Sequence, residues 1–324
     1  MSLALLLLLL AGGFVILLLT ADLLVRGAAG LALKSGLPRL FVGITIVAFG
    51  TSAPELVVAV DAVRTGAPDA ALGAIVGSNI ANVLLVLGAP ALVCGAIAVT
   101  TPGLRRNAVA TMGAVIALIA LSMDGALTFI DGAILFGLMV AYLAWMYVQA
   151  RRPGAKDPIV ADLTEELEGD EKLSGKAIAL MIAGGLIGLP ISAAMIVRSA
   201  VALGESFGVP THIIGLTVLA LGTSLPELAA GIAAAARGHG EVTIGNVLGS
   251  NLFNALGVMG IAGMVGVIPV PDQMLGVDLW LMGAAMLGLN LLIFLRRPVG
   301  RLIGAVLILT YGAYIVWLGG AAGF

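Results

Sequence analysis

Charge is what this chain has least of. Only 10% of its 324 residues are Asp, Glu, Lys or Arg, where ordinary soluble domains carry about 25%. A water-soluble fold of this length would lack the polar surface to cover itself. Cysteine is reduced to Cys94, which excludes an intramolecular disulfide framework and offers no metal-ligand spacing; it reads as a small packing residue. The two histidines, His212 and His239, stand apart in loop positions and form no imidazole cluster. A net charge of −2 leaves no basic footprint for nucleic acid. Seven of the 18 acids (Asp157, Asp162, Glu165, Glu166, Glu168, Asp170 and Glu171) fall in one short segment. The remainder is more apolar than the average of 60% hydrophobic residues and mean hydropathy of +1.16 suggest.

What fills that remainder is a series of apolar runs long enough to span a bilayer, which takes roughly 17–25 residues. They lie near 3–23, 41–63, 70–93, 107–123, 126–149, 177–203, 212–235, 242–267, 278–295 and 302–320. The expected fold is an all-α integral membrane protein with ten transmembrane helices, five on each side of a polar stretch. The first run has no basic n-region and no clear small-residue cleavage site, so it reads as a retained helix. The halves are residues 1–150 and 177–324, joined by a flexible acidic linker at 151–176.

The basic residues set an orientation. With the N-terminus outside, the inner connections hold Arg26, Lys34, Arg39, Arg105, Arg106, Arg151, Arg152, Lys156, Lys172, Lys176, Arg237, Arg296, Arg297 and Arg301, leaving only Arg64 and Arg198 of 16. The positive-inside rule then puts both termini outside and the linker in the cytoplasm of a cell-membrane protein. Arg26 and Arg198 read as snorkelling side chains.

Within this frame the stretch Gly43–Gly88 recurs as Gly215–Gly260, a constant offset of 172 residues without a gap. The first copy contains Gly-Ile-Thr-Ile-Val-Ala-Phe-Gly-Thr-Ser-Ala-Pro-Glu (Gly43–Glu55) and the second Gly-Leu-Thr-Val-Leu-Ala-Leu-Gly-Thr-Ser-Leu-Pro-Glu (Gly215–Glu227). Each is followed by a companion, Val-Gly-Ser-Asn-Ile-Ala-Asn (Val76–Asn82) or Leu-Gly-Ser-Asn-Leu-Phe-Asn (Leu248–Asn254). The second span enters from inside and the seventh from outside, so the copies cross the membrane in opposite directions. That is an inverted-topology repeat, the architecture of secondary transporters with a midplane ion site.

An ionisable group inside a membrane segment is a functional-site hypothesis by default, and here two glutamates occupy equivalent places. Thr51 and Glu55 are four apart, as are Ala48 and Ser52, so oxygens line one side of the helix. Pro54 has no N–H, which takes the usual helical partner from the Gly50 carbonyl. Gly222, Thr223, Ser224, Pro226 and Glu227 repeat the device. Ser78 and Asn82, and Ser250 and Asn254, are i,i+4 pairs, while Gly73, Gly77, Gly245 and Gly249 permit close helix packing. The donors are carboxylate, hydroxyl, amide and carbonyl oxygens. They suit hard cations such as Ca²⁺, Na⁺ or Mg²⁺ rather than zinc or copper. Asp61 lies two turns from Glu55, but its repeat counterpart is Ala233, so it reads as an interface residue.

Gly-Thr-Ser-x-Pro-Glu followed by Gly-Ser-Asn-x-x-Asn in both halves resembles the calcium/cation antiporter superfamily, and within it the prokaryotic sodium/calcium exchangers. The resemblance implies that spans 2, 3, 7 and 8 enclose the cation sites and that spans 1 and 6 slide across them. It makes Glu55 and Glu227 central ligands to Ca²⁺ and Na⁺. Thr51, Ser52, Thr223 and Ser224 would add hydroxyl or carbonyl oxygens, Ser78 and Ser250 hydroxyls, and Ala48 and Ala220 backbone carbonyls. Asn82 and Asn254 would complete the ring. Many relatives carry an acid at the position of Asn254 in one repeat; here both copies have Asn.

The function expected is Na⁺/Ca²⁺ antiport by alternating access, in the direction of Ca²⁺ extrusion, with no enzymatic activity and no cofactor. The bilayer and the transported ions are the only partners expected, with no obligate protein partner. H⁺/Ca²⁺ antiport on the same scaffold stays open, since a proton can replace a cation on a desolvated carboxylate. An intramembrane carboxylate hydrolase and a cation channel are the remoter readings.

Overall fold

A computed structural model of the chain describes residues 3–35, 42–101, 103–150, 173–206, 222 and 224–321. In chain order the helices begin with α1 (Leu3–Ser35) and a bent pair, α2 (Gly43–Thr51) and α3 (Ala53–Arg64). Then come α4 (Pro68–Cys94), α5 (Leu104–Ser122) and α6 (Phe129–Ala150). The second half holds α7 (Gly175–Ser206), α8 (Leu225–Ala236), α9 (Gly240–Val265), α10 (Met274–Phe294) and α11 (Arg301–Ala321). Among the described residues, eight of these are long and apolar enough to cross a membrane, and the bent pair makes a ninth span. Helix α8 is the latter part of the expected seventh span. Most of the acidic linker, up to residue 172, lies outside the described residues. The chain is a mostly helical, multi-pass membrane protein.

Several expected boundaries move by a few residues, and the end of the first span moves furthest. The first span was expected to stop near residue 23, yet α1 runs on to Ser35. The polar residue at that point, Asp22, is ion-paired with Arg237 at the end of α8. Beyond it, Val25, Ala28 and Ala32 continue a buried stripe, so the helix has reason to persist. Helix α7 starts at Gly175, where the Ser174 hydroxyl accepts the Ala177 N–H at 3.1 Å, an N-cap that ends the linker slightly early.

Helix contacts establish the inversion without reference to a membrane. Glycines along α2–α3 and α9 read off the register: Gly43 abuts Val242 and Gly245, Gly249 abuts Ile44 and Ala48, and Gly266 abuts Val63. Residue numbers rise together, so α2–α3 and α9 run parallel. Gly231 of α8 meanwhile faces Val86 and Pro90 of α4. Since α3–α4 and α8–α9 are each consecutive hairpins, α2–α3 and α8 point in opposite directions. Helices α1 and α7 obey the same rule. Gly13 faces Ile196, Gly27 faces Ile182 and Gly30 faces Ile178, a strictly antiparallel register.

The pseudo-symmetry reaches the outer helices. Gly88 of α4 meets Gly304 of α11, and Gly260 of α9 meets Gly132 of α6. Gly88 and Gly260 are one offset of 172 residues apart, as are Gly132 and Gly304; one crossing is therefore the repeat image of the other. Two short backbone pairings tie the loops at either end of α5: Ile97 with Val299, and strand β1 (Ala126–Leu127) with strand β2 (Ile268–Pro269). They too correspond under the offset, to within one residue.

Packing divides into two apolar layers. The larger is built from α3, α4, α5, α6, α9, α10 and α11. The smaller seats α1 and α7 against α2, α8 and the start of α9 through Leu17, Ala21, Leu24, Val47, Ala230 and Val242. The pair α1/α7 thus lies over the helices that carry both glutamates. Its seam is apolar and glycine-lined, joined at one edge by the Asp22–Arg237 pair.

A side chain at either glycine crossing has nowhere to go. A Cβ at Gly304 would stand 2.7 Å from the Gly88 carbonyl oxygen, and one at Gly132 would stand 2.7 Å from that of Gly260. Gly304→Val and Gly132→Val are expected to destabilise the protein by about 1–3 kcal/mol each, as overpacking does. Gly137→Ala and Gly312→Ala, with no atom within 4 Å of the added carbon, should be tolerated. Thermal unfolding in detergent checks both pairs.

Candidate cation-binding site

The first signature block forms a helix that stops and restarts, and in the second the described residues show the same restart. Helix α2 ends at Thr51, Ser52 takes φ −90° and ψ 4°, and α3 resumes with an axis turned by 46°. In the second copy Ser224 has φ −91° and ψ 2°, and α8 follows. The cause is local: Pro54 and Pro226 sit in the first turn of the resumed helix, where a missing N–H costs least, and each removes the donor that would have continued the preceding turn. Glu55 and Glu227 therefore occupy the first turn of α3 and α8. A helix N-terminus favours negative charge there, and it does so from opposite directions in the two copies.

The companion blocks make a second irregularity. In α4 a π-helical turn runs over Asn82–Val86, and in α9 one runs over Phe253–Val258. Asn82 and Asn254 are repeat equivalents at these turns. Such insertions are frequent at functional sites, because the wider turn frees backbone groups and re-aims side chains.

The expected residues converge. Ala48, Thr51, Ser52, Glu55, Ser78, Asn82, Ser224, Glu227, Ser250 and Asn254 are all buried, none more than 2% exposed. Ala220 and Thr223 lie outside the described residues. The repeats interlock through side chains: Ser52 Oγ donates to Glu227 Oε1 at 3.1 Å, and Asn254 Nδ2 donates to Ser78 Oγ at 3.2 Å. Ser78 Oγ in turn donates to Glu55 Oε1 at 3.5 Å. Each of these bonds has a repeat image that is not made. Among the described residues, Ser224 Oγ, Ser250 Oγ and Asn82 Nδ2, the donors of those images, have no partner. The sequence is symmetric at these positions; the hydrogen bonding is one-sided.

Free oxygen is the chemical content of the site. Glu55 Oε2, Glu227 Oε2, Asn82 Oδ1, Asn254 Oδ1, Ser224 Oγ and Ser250 Oγ are buried with no hydrogen-bond partner. An unmet buried polar group costs about 1–3 kcal/mol, and more for a charged one. So many in one place make a set of oxygen donors that a hard cation would satisfy. Two carboxylates can balance one divalent ion, and all the donors are hard oxygens.

Asn246 was not among the expected site residues. It is 1% exposed, receives the Thr51 hydroxyl on Oδ1 at 3.3 Å and donates from Nδ2 to the Glu227 carbonyl at 3.4 Å. The signal was present, since Asn246, Ser250 and Asn254 are four apart and share a stripe of α9. A search for symmetric pairs hides it, because its repeat counterpart is Ala74. Asn79 and Asn251 were also passed over. Both are buried with a free Oδ1, but their amides turn aside, to Met282 Sδ at 3.5 Å and the Val247 carbonyl at 3.0 Å. Asp61 is exposed, away from this set.

Comparison with known proteins gives a matching picture. The family model for sodium/calcium exchanger protein matches residues 5–148 and again 177–320, two segments separated by the same offset as the repeat. The inner membrane protein YrbG of Escherichia coli is 34% identical over 310 residues, covering 94% of this chain and 93% of the relative. The sodium/calcium exchanger MaX1 of Methanosarcina acetivorans is 28% identical over 341 residues, with 94% and 96% coverage. Among solved structures, the sodium-calcium exchanger NCX_Mj soaked with 2.5 mM Na⁺ and 0.1 mM Ca²⁺ superposes with a TM-score of 0.84. Its sequence identity is 26%, and the match covers 98% of this chain and 99% of that one.

Glu55→Gln and Glu227→Gln keep the side-chain shape and remove one charge from a desolvated site. Losing one partner of a buried charge interaction costs about 3–5 kcal/mol, so each variant is expected to weaken equilibrium ⁴⁵Ca²⁺ binding by at least ~100-fold. Both should still purify as folded protein. Unchanged binding in either variant would remove that glutamate from the site.

Proposed function

This chain belongs to the sodium/calcium exchanger protein family, and we propose from that premise that it is a secondary antiporter exchanging Na⁺ for Ca²⁺ across the cell membrane. The observation that carries the reading is the pair of repeat-related glutamates, each in the first turn of a helix, among buried oxygens without partners among the described residues. Their donor set accommodates Ca²⁺ and Na⁺ alike and offers nothing to softer metals. In this reading Ca²⁺ takes both carboxylates, and several Na⁺ ions take overlapping places on the same oxygens. Thr51, Ser52, Ser78, Ser224 and Ser250, with Thr223, contribute hydroxyl or carbonyl oxygens. The carbonyls of Ala48 and Ala220 and the amides of Asn82 and Asn254 complete the ring.

Coupling follows from electrostatics. Two uncompensated carboxylates resist being enclosed in a low-dielectric core, whereas a cation-loaded site carries little net charge. The loaded carrier therefore crosses between inward- and outward-facing states, and the empty one does not, which prevents leak. The moving body is α1 with α7. That reading is supported by their separate apolar layer and the glycine seam between them. It is supported as well by a fit over the breaks, where Leu186 and Val197 of α7 fill the space that side chains at Gly50 and Gly222 would need. The one-sided hydrogen bonding is what a carrier caught with its repeats in unequal states presents.

The repeats span 1–150 and 177–324, the cytoplasmic linker 151–176, and both termini face outward, by the distribution of Lys and Arg. Ca²⁺ extrusion is the direction that an inward Na⁺ gradient would drive.

Proteoliposomes loaded with Na⁺ are expected to take up ⁴⁵Ca²⁺ when placed in Na⁺-free medium at clamped potential, and an outward H⁺ gradient alone should drive none. Uptake driven only by protons would transfer the protein to proton-coupled exchange on the same scaffold. Asn254 donates to Ser78, which a carboxylate cannot do. Asn254→Asp is therefore expected to shift the half-saturating Na⁺ concentration by several-fold; an unchanged ion dependence would show that this position does not tune selectivity.

A further inference from the structure

We propose that Asn246 is a positioning residue that braces one end of the cation site and not the other, setting cation affinity without itself binding a cation. The inference rests on the exchange reading above and deepens it.

Hydrogen-bond accounting separates Asn246 from the other asparagines around the site. Asn79, Asn82, Asn251 and Asn254 each keep a buried amide oxygen with no partner. Asn246 keeps none: its oxygen takes the Thr51 hydroxyl at 3.3 Å and its nitrogen reaches the Glu227 carbonyl at 3.4 Å. An amide whose oxygen and nitrogen both carry hydrogen bonds to the protein is oriented by the protein, and only the second lone pair of its oxygen stays uncommitted. It acts as a strut. Its partners are the last residue of α2 before the break and the residue of α8 that carries the second carboxylate. Asn246 thus spans the two repeats, tying the broken end of one to the glutamate of the other.

The strut exists once. The repeat equivalent of Asn246 is Ala74, which has no polar side-chain atom and can make no such pair of bonds. Two halves alike in their signature blocks are unequal at this position. The strut belongs to the end of the site where the hydrogen-bonded Ser52–Glu227 pair lies. A braced pair of ligands keeps its spacing when the ion leaves, and a site held at ligand spacing loses less order on binding. Ca²⁺, which needs six to eight oxygens at 2.3–2.6 Å, gains most from such spacing.

Removing the strut should leave the fold in place. The Thr51 hydroxyl retains the Ala48 carbonyl at 3.3 Å, and the Glu227 carbonyl retains its place within α8. Asn246→Ala is expected to raise the KM for Ca²⁺ about tenfold, with kcat changed less than threefold. Its effect should be non-additive with Thr51→Val in a double-mutant cycle. Asn246→Ser, whose hydroxyl can bond back to its own helix, should behave as Asn246→Ala does. Asn290→Ala, a buried asparagine of α10 bonded to the Met286 carbonyl, is the matched control and should leave both constants unchanged. An unaltered KM in Asn246→Ala and Asn246→Ser overturns the proposal. So does a fall in kcat or in folded yield alone, which would mark a merely structural role, and so does full additivity with Thr51→Val. Failure of wild-type Na⁺-driven uptake would sink the exchange reading instead. Equilibrium ⁴⁵Ca²⁺ binding by the same proteins would still decide on Asn246, supporting it if binding weakens about tenfold and overturning it if binding is unchanged.

Discussion

Everything in this molecule is arranged around two carboxylates held where water cannot reach them. Enclosing a single ion of that size in low dielectric costs several kcal/mol even after the surroundings relax, and a second like charge nearby adds to it. The chain meets part of that cost locally. Each glutamate sits in the first turn of a resumed helix, at the positive end of its dipole, and each carboxylate accepts one hydroxyl hydrogen bond, from Ser78 or Ser52. One oxygen of each remains unmet among the described residues, and in the proposed exchange a transported cation would supply that deficit. Removing the deficit with more donors would give a more stable protein and a worse carrier.

The duplicated, inverted chain explains how so polar a centre is built in so apolar a protein. A broken helix at membrane depth is tolerated where its freed backbone lines a cavity or finds protein partners. Here Leu186 of α7, in the other repeat, lies over Gly50 at the first break. Gly88 on Gly304 and Gly132 on Gly260 let the outer helices approach the core closely on either side. That rigid frame supports the thin α1/α7 layer, whose contacts are apolar and whose glycines leave its surface smooth. Apolar contacts have no directional preference, so apart from the Asp22–Arg237 pair at its edge such a layer has no polar contact named here to break when it shifts.

A good part of this was legible beforehand. The 172-residue offset marks the repeat, and the Pro and Gly of each signature mark the break. The i,i+4 spacing of Ser78 with Asn82 and of Ser250 with Asn254 puts both pairs on the inward stripe. Boundaries were legible only as far as local polarity decides them. Asp22 looked like the end of a span because its partner Arg237 is 215 positions away in the chain. Asn246 escaped for a related reason, since a residue present in one repeat and replaced by Ala74 in the other leaves no trace in the symmetry.

By itself the sequence determined the membrane setting, the inverted repeat, the broken helices and the hard-oxygen character of the site, because these follow from composition, spacing and the backbone chemistry of Pro and Gly. Only the tertiary structure decided which equivalent groups are joined. Ser52 bonds Glu227 while Ser224 stands alone, and Ser78 bonds Glu55 while Ser250 does not. Identical residues at symmetric positions have identical local preferences, so a choice between them depends on how the two repeats sit against each other, and that is a property of the packed molecule.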